Sequence, residues 1–285
     1  MMHLLPWVIR VVIKPCEQSL EEYPMPEHIQ YDVADRIATI TINRPEKRNA
    51  MTYAMNKLFH QRIRDAGQDE AVQVIVITGT GGAFCSGTDM SDLEDESTDD
   101  RSERADAMVR SAAFWPILHC PKPIIAAIDG PAVGMGAEFT SQCDIRIAST
   151  NCRLSWIFAK RGLVPDTGAG SWLLPKLIGL QKALELLFTG RFVGAEEALA
   201  MGYVLHVVEP EALMDAVYEL AREMAQVSPF AQRLTKKLVY DGLSLEASDH
   251  VKASAKVLSD CFASEDHKEG VRAFLEKREP KFTGH

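Results

Sequence analysis

VIVITGTGGAFCSGTDM, residues 74–90, and IIAAIDGPAVGMGAEFTSQCDIRIA, residues 124–148, share one plan: a β-branched apolar run that closes on a cluster of glycines. In the first, Gly79, Gly81, Gly82 and Gly87 follow the strand. In the second, Gly130 and Pro131 turn the chain, and Gly134, Met135 and Gly136 lead into a helix. Outward from these two stretches, strand-like runs occupy 37–43, 73–79, 123–129, 145–148 and 203–208. Helix-like segments occupy about 50–69, 103–119 and 135–142. From residue 171 onward the pattern is mostly helical, at 171–178, 181–188, 195–200, 210–227, 229–240, 244–260 and 267–277. Extended and helical segments that alternate, with helices following, indicate an α/β core and a helical C-terminal portion.

The composition narrows the class. The chain has 285 residues, 46% of them hydrophobic, which is ample for a large core and rules out disorder as the main state. A formal net charge of −9 gives no general field to attract phosphates, against a basic nucleic-acid domain. The six cysteines, at 16, 85, 120, 143, 152 and 261, form no CxxC pair, and no histidine pair stands beside them at ligand spacing. Reduced thiols in a cytosol-like compartment follow. The opening MMHLLPWVIRVVIK is too short, and too interrupted by Arg10, to span a bilayer. It reads as an extra strand or an N-terminal extension. Residues 94–106 hold seven acids and two arginines, the pattern of a solvated loop or of a flap over a pocket.

Neither glycine stretch is a nucleotide fingerprint, and each alone could be a simple tight turn. Together they offer more. A turn can expose successive N–H groups, and a helix N-terminus adds free amides and the positive end of its dipole. Two donors from separate strand ends could converge on one developing oxyanion, acidifying the carbon beside a thioester carbonyl. A carboxylate then moves the proton. Glu138 lies three residues past Met135 on the same helical turn, among apolar neighbours, where an acid must be used or paired. Asp166 follows Pro165 before another glycine-rich turn, as a catalytic acid or as a helix cap or turn aspartate. Cys85 and Ser86 adjoin the first glycine stretch without the surroundings of a nucleophile.

At these stretches the sequence resembles the crotonase, or enoyl-CoA hydratase/isomerase, family, over about residues 28–285. The similarity rests on motifs in the family's order and spacing: TINRPEKRNAM (41–51), AFCSGTDM (83–90), GPAVGMGAE (130–138), KRGLVPDTGAGSWLLPKLIG (160–179), LFTGRFVGAEEALAMGYVLHVV (187–208) and FLEKREPKF (274–282). The resemblance implies an α/β fold, a crotonase-like ββα superhelix. Residues 1–27 would be an N-terminal extension, 28–209 the spiral core, and 210–285 a helical region used for trimerisation. It also implies an acyl-CoA thioester as substrate, with the N–H groups of Thr88 and Met135 as oxyanion donors. The coenzyme A portion would lie against Lys47, Arg48, Asn49 and Ala50, with Lys277 and Lys281 near its phosphates. Coenzyme A is then part of the substrate, and no separate cofactor, metal, nucleic acid or membrane partner is expected. A cytoplasmic homotrimer or hexamer is.

Relatives that hydrate a double bond are similar in using two glutamates. Glu138 matches the first, whereas the second falls on Phe158, which cannot transfer a proton. Asp166 stands where relatives that shift double bonds carry an acid. The resemblance therefore leans toward an enoyl-CoA isomerase, with Asp166 as proton shuttle and Glu138 as auxiliary acid. Hydration by Glu138 and Asp166 acting on water stays open, as does other enolate chemistry. Phe84, Trp156 and Phe158 would line an acyl pocket or belong to the ordinary core. A non-catalytic RNA-binding relative is the alternative of another class. Lys57, Arg62 and Arg64 on the 54–71 segment are offset there by Asp65, Asp69 and Glu70, an ordinary helix surface.

Overall fold

The run VIVITG forms a strand, Val74–Gly79, whose first four side chains are fully buried because both of its faces are covered. Ile75 and Ile77 enter the main core with Met55, Phe59 and Ile63. Val74 and Val76 enter a second core on the opposite face with Val217 and Ala221. Burial on both sides is why the segment reads as a continuous apolar run.

The computed structural model describes residues 28–94, 115–165, 167 and 169–285. Its strands in chain order are β1 (Ile29–Ala34), β2 (Ile37–Ile42), β3 (Val74–Gly79), β4 (Ile124–Ile128), β5 (Pro131–Val133), β6 (Ile145–Ser149), β7 (Arg153–Ser155), β8 (Val193–Gly194) and β9 (His206–Val208). The larger sheet has the order β1-β2-β3-β4-β6-β9, and a smaller one has β5-β7-β8. β1 is antiparallel to β2 through a hairpin whose corner residues, Asp35 and Arg36, both have positive φ. The remaining pairings of the larger sheet are parallel, with Ile37 opposite Val74, Ile75 opposite Ile124, Ile125 opposite Ile145 and Ile147 opposite His206.

The second layer explains the spiral. After β2 the chain bends and Met51 pairs with Thr88; after β3, Cys85 pairs with Ala132 of β5; after β6, β7 pairs with β5. Each turn thus gives one strand to the large sheet and one short extended piece to the second layer before a helix, the ββα superhelix that the resemblance implies. Helix Tyr53–Gln68 starts where the Thr52 hydroxyl accepts the Met55 N–H, and it buries Met55, Phe59, Ile63 and Ala66. Helix Leu213–Ala225 closes the other face of the sheet with Leu213, Val217, Ala221 and Ala225. Helices Pro229–Gly242, Ala247–Ala263 and Glu265–Glu276 complete the chain. They leave Val251, Leu258, Phe262 and Phe274 exposed. Lys236 and Tyr240 tie the first of these three to Asp144 at 2.7 and 2.9 Å. Among the described residues no helix is long and apolar enough to cross a membrane.

Several expected boundaries move for local reasons. The first helix begins at Tyr53 rather than about 50 because Met51 is spent in its bridge to Thr88. The strand expected at 203–208 begins at His206, since Tyr203 turns inward to place its hydroxyl at Thr140 and Ser141. The last helix begins at Glu265, capped by Ser264. The segment expected at 103–119 is described only from Trp115, with a helix at Pro116–His119. Residues 1–27 and most of the acidic run 94–106 lie outside the described residues.

Candidate active site

The two glycine-rich stretches lie against each other. The N–H groups of Phe84 and Cys85 donate to the Pro131 carbonyl at 3.0 and 3.1 Å, and the Val133 N–H donates to the Cys85 carbonyl at 2.9 Å. Gly136 permits this approach: a Cβ there would lie 2.8 Å from the Cys85 Cβ and closer still to its carbonyl oxygen. A Cβ on Gly87 would lie 3.1 Å from the Val133 oxygen and 3.9 Å from the Met135 nitrogen. The Thr88 and Met135 backbones, 47 residues apart in sequence by subtraction, therefore share one neighbourhood.

Both amides there are open. Thr88 is flanked by fixed neighbours, with the Gly87 carbonyl accepting from Met51 at 2.8 Å and the Asp89 N–H donating to Met51 at 2.9 Å. Met135 opens helix Met135–Gln142 after Gly134, at φ 55. Among the described residues neither the Thr88 nor the Met135 N–H has an acceptor. A backbone amide without a protein acceptor is costly in a folded protein unless water or a ligand satisfies it. Arg146 fixes the far end of the helix, donating to the carbonyls of Thr140, Cys143 and Tyr203 at 3.1, 2.7 and 2.6 Å.

Glu138 is fully buried on this helix. Its Oε1 accepts the Gly170 N–H at 2.8 Å, and its Oε2 accepts the Thr167 N–H at 2.9 Å and the Thr167 hydroxyl. Both carboxylate oxygens are thus engaged. Gly170 must lack a side chain, since a Cβ would stand 2.5 Å from Oε1 and 3.2 Å from Trp156 Cδ1. The Thr167 carbonyl in turn accepts the Trp115 indole N–H at 2.6 Å. Phe158 is buried, its ring edge 4.0 Å from where a Gly134 Cβ would be, so a phenyl group lies against the second amide turn. Among the described acids only Glu138 and Asp266 are fully buried. Asp266 is bonded to Ser228, Thr283 and Gly284 in the C-terminal helices. Asp166 lies outside the described residues.

The turn expected to meet coenzyme A is tightly internal. The N–H groups of Lys47, Arg48, Asn49 and Ala50 all bond within the turn. Arg48 and Asn49 both have positive φ, and the buried Asn49 side chain accepts from Arg44 and donates to Thr80 and Ala83 at 2.7, 2.9 and 2.6 Å. A ligand here would meet the exposed Lys47 and Arg48 side chains and carbonyl oxygens, of which those of Lys47, Arg48 and Ala50 already accept from Ala50, Ser86 and Arg44, rather than free amides. Arg44 clamps this turn to the first donor loop by bonding Asp89 at 2.5 Å, which holds the Asp89 carboxyl down at about 2. Lys277 and Lys281 are exposed at the end of the last helix, and no described hydrogen bond or ion pair joins either to the 47–50 turn.

Other reactive side chains are quiet. Burial pushes the thiols of Cys85, Cys143 and Cys152 up to about 12, so they are not thiolates at neutral pH. Phe84, Trp156 and Phe158 all belong to the main core. Sequence reasoning missed Thr167, Gly170 and Trp115. The only available signal was that Thr167 and Gly170 share the glycine-rich turn with Asp166.

Comparisons with known proteins show the family and the fold. Residues 32–285 match the family model described as enoyl-CoA hydratase/isomerase. A short-chain-enoyl-CoA hydratase of Clostridium acetobutylicum is 33% identical, covering 85% of this chain and 92% of the relative. A 1,2-epoxyphenylacetyl-CoA isomerase of Escherichia coli is 32% identical, covering 91% and 100%. The crystal structure of an enoyl-CoA hydratase from Bacillus anthracis superposes with a TM-score of 0.85 at 30% identity, covering 91% of this chain and all of that one.

Proposed function

The chain belongs to the enoyl-CoA hydratase/isomerase family, and from that premise we propose that it shifts a carbon–carbon double bond of an enoyl-CoA from the 3- to the 2-position. The observation that carries this reading is Phe158. It lies buried against the Gly134 turn, and it is the residue on which the sequence resemblance puts the second glutamate of the hydrating relatives.

In the proposed reaction the thioester oxygen takes both free amides, of Thr88 and Met135. Asp166 removes a proton from C2, and the charge spreads over a dienolate whose oxygen the amides hold. The same carboxylate returns the proton to C4, leaving the conjugated 2-enoyl thioester with no water added. Glu138, engaged by Thr167 and Gly170, fixes the turn that carries Asp166 rather than moving the proton itself. The carbonyls and Lys47 of the 47–50 turn would take the nucleotide portion of coenzyme A. Lys277 and Lys281 would take its phosphates within a trimer built on the exposed apolar side chains of the C-terminal helices.

Hydration remains the second reading, favoured by the full burial of Glu138 three residues from Met135. The test offers 3-enoyl-CoA to the wild type, Asp166→Asn and Glu138→Gln, following the conjugated thioester band. Asp166→Asn should lose activity about 100-fold or more, and Glu138→Gln should keep a measurable rate. Full activity in Asp166→Asn would refute the proposal.

A further inference from the structure

A cavity of about 710 Å³ lies between helix Pro116–His119, Trp172 on helix Ala169–Ile178, and helix Pro229–Gly242. Its size suits a small molecule. We propose that it binds an apolar carboxylate, with the cavity wall taking the hydrocarbon and Arg233 taking the acid group.

The wall is mostly apolar. Trp115 and Trp172 pack with ring centres 5.4 Å apart and planes tilted by 33°, and Leu118, Leu234 and Tyr240 complete it. Of the cations lining the cavity, two are already matched: Lys236 pairs with Asp144 and Lys237 with Asp241, each at 2.7 Å. Arg233 is not. Among the described residues its guanidinium makes one hydrogen bond, from Nη2 to the Gly284 carbonyl at 3.3 Å, and lies 5.4 Å from the Phe230 ring centre. Its Nε and Nη1 have no acceptor there. A planar fork with unused donors beside an apolar cavity matches a carboxylate, which can take two parallel N–H bonds. An alcohol of the same length offers no charge to it. In a chain of net charge −9, this pairing is local and not a general field effect. The inference does not depend on which reaction the Glu138 site performs.

The acid group could belong to a free acid or to the far end of an acyl chain whose thioester occupies the Thr88–Met135 site. Titration of the full-length protein with octanoate and with 1-octanol, by calorimetry and tryptophan fluorescence, tests the proposal. Saturable octanoate binding, weakened about tenfold by Arg233→Gln while octanol is little changed, is the expected result. Leu234→Trp, which narrows the cavity on the helix that carries Arg233, should weaken both, with thermal melts checking that each variant is folded. No saturable octanoate binding to the wild type, equal affinity for octanol, or an unaffected Arg233→Gln would overturn it. Displacement of bound octanoate by a thioester of coenzyme A with a long ω-carboxylic acid, but not by butyryl-CoA, would assign the cavity to the acyl chain. Simultaneous binding would assign it to a free acid.

Discussion

Gly136→Ala is the sharpest perturbation of the proposed oxyanion arrangement. The added Cβ would stand 2.8 Å from the Cys85 Cβ, against an ordinary carbon–carbon contact of about 3.5–4.0 Å, so the two stretches must part by about 1 Å. Relief is difficult, because Val133 is bonded to Cys85 at 2.9 Å and Cys85 to Pro131 at 3.1 Å. Overpacking of this kind costs about 1–3 kcal/mol of stability. The catalytic effect should be larger. A 1 Å misplacement can cost about 100-fold, and losing one oxyanion donor about 100- to 1000-fold in kcat. Both candidate reactions alter the conjugated enoyl thioester, so its ultraviolet band reports turnover whichever occurs. The variant should show kcat down about 100-fold, with circular dichroism unchanged and the urea midpoint only modestly lower. A folded variant with kcat within about threefold of wild type would refute the convergence of the two amides on one oxygen.

Trp115→Phe keeps the ring against Trp172 but removes the hydrogen bond to the Thr167 carbonyl; kcat should fall about tenfold with KM little changed and stability down by about 1 kcal/mol, read from steady-state kinetics and urea unfolding. Arg146→Met leaves the carbonyls of Thr140, Cys143 and Tyr203 without their donor, and should cost about 3 kcal/mol or more in urea unfolding. His60, packed against Phe59 and Phe139, is held down to about 4 by burial. The unfolded chain takes up that proton below about pH 6.5 and the folded one does not, so stability should fall as pH drops from about 6.5 to 4. His60→Gln should flatten that slope in urea unfolding at pH 7 and pH 5.

The repeated strand-to-glycine pattern was legible because β3 is buried on both faces and Gly136 admits a close backbone approach; each leaves a local mark in the sequence. Glu138 was legible for the same reason, as an acid among apolar neighbours. Its partners were not. Thr167 and Gly170 lie 29 and 32 positions away, and Trp115 reaches Thr167 across 52. Tertiary packing alone makes such pairs. β7 and β8, three and two residues long, are too short for any periodicity to show. β1 was missed because IQYDVA is an edge strand with one buried residue. Asn49 stood in a motif associated with coenzyme A, yet its side chain pins the Arg44 turn to the Thr80–Ala83 loop, a role that required coordinates.

The double-bond shift is tested most directly by mass spectrometry of the product formed from 3-enoyl-CoA in water. The proton-transfer account predicts 2-enoyl-CoA of unchanged mass as the first product, formed through the Thr88 and Met135 amides and lost in Asp166→Asn. A 3-hydroxyacyl product heavier by one water, formed from 2-enoyl-CoA with Glu138 indispensable and Asp166 not, would contradict it.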